Sequence, residues 1–97
     1  METTSPQTRK NKSRSADDYV IEALLNGLLV LEALEGNNFE PISLKTIARR
    51  SKQSENFCYR SLKTLEQLGY ARRSKQGWQL GSRIGRLTQA YEVRFNT

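Results

Sequence analysis

Residues 43–69 read SLKTIARRSKQSENFCYRSLKTLEQLG, and this stretch decides the fold. Its first part carries apolar residues at Leu44, Ile47 and Ala48, the i, i+3, i+4 spacing of one buried helix face. Ser43 precedes them as an N-cap, since its hydroxyl can accept from a free N–H of the first turn. This part therefore predicts a short helix.

A second, longer helix is predicted after a polar break at residues 51–53. Ser54 is its N-cap candidate, and Gly69 is expected to end it in the left-handed conformation. The apolar stripe, at spacings of 4, 3 and 3, consists of Cys58, Leu62, Leu65 and Leu68. Two helices joined by a turn of about three residues form a helix-turn-helix. The alternative is an ordinary helical hairpin with a solvated charged face.

A basic β-hairpin is predicted directly after the second helix. Residues 70–74 suit one strand, and residues 78–80 alternate like a returning strand before Gly81 ends it. Residues 75–77 suit the turn, because Gly77 can take a positive φ. A helix-turn-helix followed by such a hairpin predicts a winged helix-turn-helix, a mainly α fold with a small β-hairpin.

Two further helices flank this unit. The first is expected from Ser15 to about Leu34, with acidic residues in its first turn, where the helix dipole favours negative charge. Phe39 is expected in the core, and residues 41–42 are expected as a short edge strand beside the wing. The last helix is expected from Arg83 to about Phe95, after Ser82 as cap, with an apolar stripe of Ile84, Leu87, Tyr91 and Phe95. For Trp78 the core is favoured over contact with a sugar–phosphate backbone.

The first helix is apolar on two nearly opposite stripes. One stripe, expected to pack on the helix-turn-helix, consists of Ile21, Leu24, Leu28, Leu31 and Leu34; the second consists of Val20, Leu25, Leu29 and Ala33. A helix apolar on two sides needs two partners. We therefore predict a homodimer through Leu25 and Leu29; the alternative is that the last helix covers the second stripe.

Residues from about 20 to 91 resemble the N-terminal DNA-binding domain of the IclR family of bacterial transcription regulators. The resemblance runs ungapped from Leu44 to Leu87 and rests on Leu44, Ile47, Ala48, Arg49, Tyr59, Arg60, Leu62, Thr64, Leu65, Glu66, Gly69, Tyr70, Arg72, Arg73, Gly77, Leu80, Gly81, Arg83 and Leu87. It implies a winged helix-turn-helix that binds DNA, with pairing partly through the first helix.

The chain departs from the family pattern at three positions. The family usually has Gly where Lys52 stands, an apolar residue at Gln53, and Ser or Thr at Phe57. The base preference of other members therefore does not carry over. The family's domain leads into a ligand-sensing domain, whereas this chain stops at Thr97, so no small-molecule effector is expected.

Composition narrows the classes of function. Ninety-seven residues suit one domain, and the chain has no histidine and one cysteine, Cys58, on an apolar stripe. The usual zinc ligands and histidine acid–base chemistry are therefore missing, and no catalytic constellation is found. We expect no enzyme, no cofactor and no metal. Without a long apolar run or signal peptide, a cytoplasmic, nucleoid-associated protein is expected.

The charge, net +6, is unevenly distributed along the chain. Residues 17–42 are net −6, whereas residues 43–83 are net +8. Positive charge concentrated on the motif and its wing is typical of a phosphate-binding surface. Residues 1–14 are expected to be a disordered arm, and its basic residues would lie along DNA or act as a solubilising tail.

The candidate site is therefore a surface for double-stranded DNA. On the second helix of the motif, the recognition helix, the candidates are Ser54, Asn56, Phe57, Tyr59, Arg60, Lys63 and Thr64. The candidates for contact with the DNA backbone are Ser43, Lys45, Arg49 and Lys52. The wing contributes Arg72, Arg73, Lys75 and Gln76, and the arm contributes Arg9, Lys10, Lys12 and Arg14.

The function expected from these residues is that of a small transcription regulator of the bacterial, phage or mobile-element type, acting as a dimer without a membrane partner. The alternatives are a structural DNA adaptor, for example in packaging or replication, and a protein-binding winged helix.

Overall fold

A computed structural model of the chain describes residues 16–36 and 40–95. Within these ranges the chain forms helices and one two-stranded antiparallel hairpin. The order is a 3-10 helix (Ala16–Tyr19), α1 (Glu22–Glu32), α2 (Leu44–Ser51), α3 (Glu55–Leu68), β1 (Ala71–Ser74), β2 (Gly77–Leu80) and α4 (Arg83–Phe95). This is the helix, helix-turn-helix, wing and C-terminal helix that the sequence predicts.

The first helix begins later and ends earlier than predicted. A separate 3-10 turn precedes it, and α1 starts only at Glu22, after Ile21 in an extended conformation (φ −91°, ψ 105°). Val20 and Ile21 are consecutive β-branched residues, which lose side-chain freedom in a helix and favour extended backbone. At the other end a turn over residues 33–36 replaces the last helical residues and closes with Gly36 at φ +87°.

The packing of α1 also differs from the predicted stripes. Its contribution to the core comes from Val30 and, just past the helix end, Ala33 and Leu34. Ile21 and Leu24, expected on the packed stripe, are 65% and 58% exposed. Burial is therefore concentrated at the C-terminal end of the helix, whereas the prediction spread it along one whole side.

The helix-turn-helix forms as the sequence predicts. The Ser43 hydroxyl accepts from the Thr46 N–H at 3.2 Å, and the Ser54 hydroxyl accepts from the Phe57 N–H at 3.1 Å. Each serine thereby satisfies one of the free donors in a first turn. Gly69 ends α3 at φ +89°, in the expected left-handed conformation.

The core lies where α1, α2, α3 and the wing meet. Its fully buried side chains are Val30, Ile47, Cys58 and Leu62, joined by Ile42, Ala71 and Trp78. The burial of Cys58 and Trp78 confirms both predictions. Leu68, expected on the buried stripe of α3, is 54% exposed at the last residue of the helix, whereas Leu65 packs against the core.

The wing is a tight hairpin with a two-residue turn at Lys75 and Gln76. Gly77 pairs with Ser74 at the start of β2, so it is a strand residue, whereas the prediction placed it in the turn. Its φ of +152° brings the backbone so close to Ile42 that an added Cβ would lie 2.4 Å from the Ile42 carbonyl oxygen. Ile42 forms the predicted edge as a single bridge, exchanging two N–H···O bonds of 2.9 Å with Trp78.

The last helix has the predicted bounds, but its apolar stripe is largely uncovered in the described part of the chain. Ile84 is half-buried, whereas Leu87 and Tyr91 are exposed. The helix is joined to the domain at its start, where the Arg83 N–H donates to the Gly69 carbonyl at 3.0 Å. None of the described helices is long and apolar enough to cross a membrane.

Candidate nucleic-acid interface

The side of α3 opposite the core is polar and open to solvent. Its exposed side chains are Asn56, Arg60, Lys63, Thr64 and Gln67. The first four were predicted from the sequence; Gln67 was missed, although it stands seven residues after Arg60 and so on the same helix face. Amides, hydroxyls and a guanidinium are the groups that read base edges in a groove. This set is called the α3 polar face below.

Two members of the α3 polar face already have partners on the helix. The Lys63 ammonium lies 3.2 Å from a carboxylate oxygen of Glu66, and the Thr64 hydroxyl donates to the Arg60 carbonyl at 2.9 Å. Both contacts are exposed and therefore weak. They orient the two side chains, and a DNA group could displace them at little cost in free energy. Arg60 carries its charge on the solvent side of the helix.

Three other predicted residues, on α3 or at its N-cap, lie beside this face. Ser54 is exposed but caps the helix, and Phe57 is half-buried against the core. Phe57 was expected on the exposed face, but its side chain packs partly against the core; a contact of Phe57 with DNA stays a prediction. Tyr59 is exposed, and its ring meets the Trp78 ring edge to face at a centroid distance of 6.4 Å.

The residues predicted to contact the DNA backbone from α2 and the turn are all exposed. They are Ser43, Lys45, Arg49 and Lys52. Lys52 takes the left-handed conformation (φ +61°, ψ +35°), where glycine is the usual residue. Its position in the turn places a lysine between the two helices of the motif.

The predicted residues of the wing lie at its tip and on the two faces of the hairpin. Lys75 and Gln76 form the tip, where the Gln76 N–H donates to the Ser74 hydroxyl at 3.3 Å. The Arg72 guanidinium donates to the side-chain oxygen of its cross-strand neighbour Gln79 at 2.9 Å. Arg73 lies on the other face of the hairpin, with its guanidinium over the Tyr59 ring at 5.8 Å.

Two arginines near the site form hydrogen bonds with backbone carbonyls of other elements and so stabilise the fold. Arg50, near the end of α2, donates to the Ala33 carbonyl at 2.9 Å and so satisfies an acceptor at the end of α1. Arg83 donates to the Leu68 carbonyl at 3.4 Å and lies over the Tyr70 ring at 5.8 Å. Neither partner is near in sequence, so no local pattern could have revealed these roles.

A further polar contact joins the turn of the motif to the first helix. The Gln53 side-chain amide donates to the Asn26 side-chain oxygen at 3.3 Å, partly buried. At this position, where the sequence departs from the apolar residue usual in the resembled family, the chain forms a hydrogen bond between two side-chain amides. The four predicted arm residues lie outside the described residues, as does Phe39. The described residues hold no cluster of side chains suited to a metal ion.

The element order, the two capped helices of the motif and the basic hairpin define a winged helix-turn-helix domain. The family model of the IclR helix-turn-helix domain matches residues 23–75, which is more than half of the chain. The protein therefore belongs to the IclR helix-turn-helix domain family, which confirms the resemblance seen in the sequence.

Solved structures give the same fold. An IclR family transcriptional regulator from Brucella abortus is 25% identical, with a TM-score of 0.71 over 89% of this chain and 33% of that chain. An IclR transcriptional regulator from Alicyclobacillus acidocaldarius is 23% identical, with a TM-score of 0.66 over 77% of this chain and 31% of that chain. The chain thus spans about a third of their length. No curated protein matches it.

Proposed function

We propose that the protein is a sequence-specific regulator of transcription that binds double-stranded DNA with α3 in the major groove. The observation that carries this proposal is the α3 polar face: an exposed row of amide, hydroxyl and basic side chains on the second helix of a helix-turn-helix. The second helix of this motif is the one that enters the major groove. Solved relatives described as transcriptional regulators support the same role.

Basic residues on both sides of α3 would hold the phosphates. Lys45, Arg49 and Lys52 are exposed on α2 and the turn, and Lys75 is exposed at the wing tip. Contacts to phosphates fix the register of a protein on the duplex, while base contacts specify the sequence. In this assignment Arg60 and Asn56 read bases, and the flanking lysines and arginines position the helix.

The regulator acts as a homodimer through the exposed apolar side of α1. Leu25 and Leu29 are 47% and 38% exposed, beside the still more exposed Ile21 and Leu24. Apolar residues that recur on one helix side, uncovered by the rest of the domain, favour a partner. A dimer would place two α3 helices in half-sites about one helical turn, or a multiple of it, apart.

The N-terminal residues 1–14 complete the proposal as a basic arm. Arg9, Lys10, Lys12 and Arg14 would follow the phosphates or enter the minor groove beside the half-site. The remaining residues, 15–97, would form the DNA-binding domain. A regulator of this kind works in the cytoplasm at the nucleoid.

Binding-site selection from random duplexes with the purified protein tests the proposal. The expected result is a palindromic consensus, with half-sites spaced by about 10 base pairs or a multiple of it. A matched control is the variant Arg60→Ala, which removes a base-reading group from the α3 polar face.

If the selection recovers no consensus and the protein binds all duplexes equally, the proposed role as a regulator would give way to that of a structural DNA adaptor. Failure to bind any duplex in low salt would leave only a protein-binding winged helix. Sedimentation of the protein with the selected duplex then measures the number of copies bound per site.

A further inference from the structure

The Arg73 guanidinium lies between the recognition helix and the wing. Its carbon is 5.8 Å from the ring centroid of Tyr59 on α3 and 5.5 Å from that of Trp78 on β2. The two rings contact each other edge to face, with their planes at 78°. A guanidinium within about 6 Å of an aromatic ring is attracted to its face. These three side chains, called the Arg73 stack, join α3 to the wing.

The register of the hairpin sets Arg73 apart from Arg72. Arg73 pairs with Trp78, and Arg72 pairs with Gln79, so the two arginines lie on opposite faces of the hairpin. Trp78 is only 3% exposed, which makes its face the one that packs on the core. Arg73 therefore lies on the inner face, although its own side chain is exposed.

Backbone hydrogen bonds join the wing to the rest of the domain at its base and, on β2, at the level of Arg73 itself. The Gly81 N–H donates to the Tyr70 carbonyl at 2.8 Å, and Trp78 exchanges two bonds with Ile42. The Ile42 bridge holds β2, and side-chain packing on the rest of the domain adds to it, because a short hairpin has little stability of its own. The Arg73 stack supplies such packing from β1 at the same level, two residues before Lys75 at the tip.

We propose that the Arg73 stack fixes the position of the wing tip relative to the α3 polar face before DNA is bound. Arg73 is then a positioning residue that acts through Tyr59 and Trp78. A wing fixed in advance lowers the ordering cost that a mobile hairpin would add to binding. The expected effect on DNA affinity rests on the proposed function, whereas the position of the wing in the free protein does not depend on it.

The free protein provides the first test. Arg73→Lys keeps the charge but loses the planar guanidinium that stacks on rings. We expect lower backbone order parameters at Lys75 and Gln76 by nitrogen-15 relaxation. Arg72→Lys makes the same change on the other face and is expected to leave the order of the tip as in the wild type.

A second pair of variants covers the case in which a change at Arg73 also weakens the fold. Tyr59→Phe keeps the ring and is expected to retain the order of the tip, whereas Tyr59→Leu removes the ring and is expected to lower it. Far-ultraviolet circular dichroism reports that each variant is folded, because the fluorescence of Trp78 responds directly to substitutions within the stack. Unchanged order at the tip in both Arg73→Lys and Tyr59→Leu would overturn the proposal.

Affinity for the selected duplex is the second test. Arg73→Lys should bind about two- to fivefold more weakly, the factor that an exposed cation–π contact contributes. Its salt dependence should equal that of the wild type, because the charge is kept. Wild-type affinity of Arg73→Lys would mean a plain phosphate contact and would overturn the positioning role. If the wild type binds no duplex, the proposed function fails, and the order of the tip in the free protein still decides the role of the stack.

Discussion

The carbonyl oxygen of Gly69 lies where a side chain on Gly81 would begin. A Cβ added at Gly81 would be 2.2 Å from that oxygen and 3.0 Å from the Ala71 nitrogen. The Gly81 N–H, in turn, donates to the Tyr70 carbonyl at 2.8 Å. The end of the recognition helix and the end of the wing thus meet backbone to backbone, and position 81 accepts only glycine without a shift of the chain.

Gly81→Ala should therefore destabilise the fold by about 1–3 kcal/mol, the range for overpacking a tight site. The control is Gly85→Ala in α4, where a Cβ meets nothing within 4 Å. In a helix that change should stabilise by about 0.5–1 kcal/mol. Urea unfolding measures both, and equal midpoints for Gly81→Ala and the wild type would contradict the close approach.

Local signals made much of the motif predictable from the sequence. A serine before an apolar repeat identified both caps, at Ser43 and Ser54, because capping depends on residues three positions away. Gly69 identified the end of α3, because helices commonly end at a glycine in the left-handed conformation. The order of motif and hairpin identified the fold, since few folds place a hairpin directly after a helix-turn-helix.

Contacts between distant residues were not predictable. Arg50 has the sequence context of a solvent-facing arginine, yet its partner is the Ala33 carbonyl, 17 residues away. Gly77 was expected to serve the turn, but it is needed because Ile42 approaches its backbone. Phe57 sits at the edge of the exposed face by periodicity, and only the packing of the neighbouring elements decides its burial.

Substitution of Lys52 should affect the stability of the fold and the affinity for DNA differently. A lysine at φ +61° carries a steric cost that glycine does not, about 1 kcal/mol for a left-handed residue. Lys52→Gly should thus leave the free energy of unfolding unchanged or raise it by up to about 1 kcal/mol, with the added freedom of the unfolded chain offsetting part of the gain. The same variant should bind DNA more weakly, with a salt slope smaller by about 0.9.

Thermal unfolding and a salt titration of the duplex complex measure these two effects. Lys52→Ala serves as the matched control, because it removes the charge but keeps the Cβ. A clear loss of stability in Lys52→Gly would show that the lysine side chain supports the turn. Wild-type affinity in both variants would remove Lys52 from the phosphate contacts.

The exposed leucines of α1 are expected to carry the dimer. The double variant Leu25→Glu with Leu29→Glu should give a folded monomer with weaker DNA binding, because carboxylates on an apolar interface would be buried without partners. Sedimentation equilibrium at micromolar concentration measures the mass. Ala23→Glu, exposed on the opposite side of α1, is the control and should remain dimeric. A wild type that sediments as a monomer would contradict the assignment.

Binding should depend strongly on salt. Each phosphate neutralised by a lysine or arginine contributes about −0.9 to the slope of log K against log salt. Lys75→Ala at the wing tip should lower the slope by about one unit and weaken cognate and scrambled duplexes by similar factors. Titration of both duplexes between low and physiological salt measures this. An affinity that is independent of salt would exclude the basic residues around α3 as phosphate contacts.

Arg60 should behave differently from Lys75, because it lies on the α3 polar face. Its planar fork can pair with O6 and N7 of guanine in the major groove. Arg60→Ala should cost about 1–3 kcal/mol on the cognate duplex and little on a scrambled one. Arg60→Lys is the informative control, since it keeps the charge but loses the two parallel hydrogen bonds, so it should recover little of the specificity. Equal losses on both duplexes would make Arg60 a phosphate contact, and sequence reading would then fall to Asn56, Phe57 and Tyr59 or to the shape of the DNA.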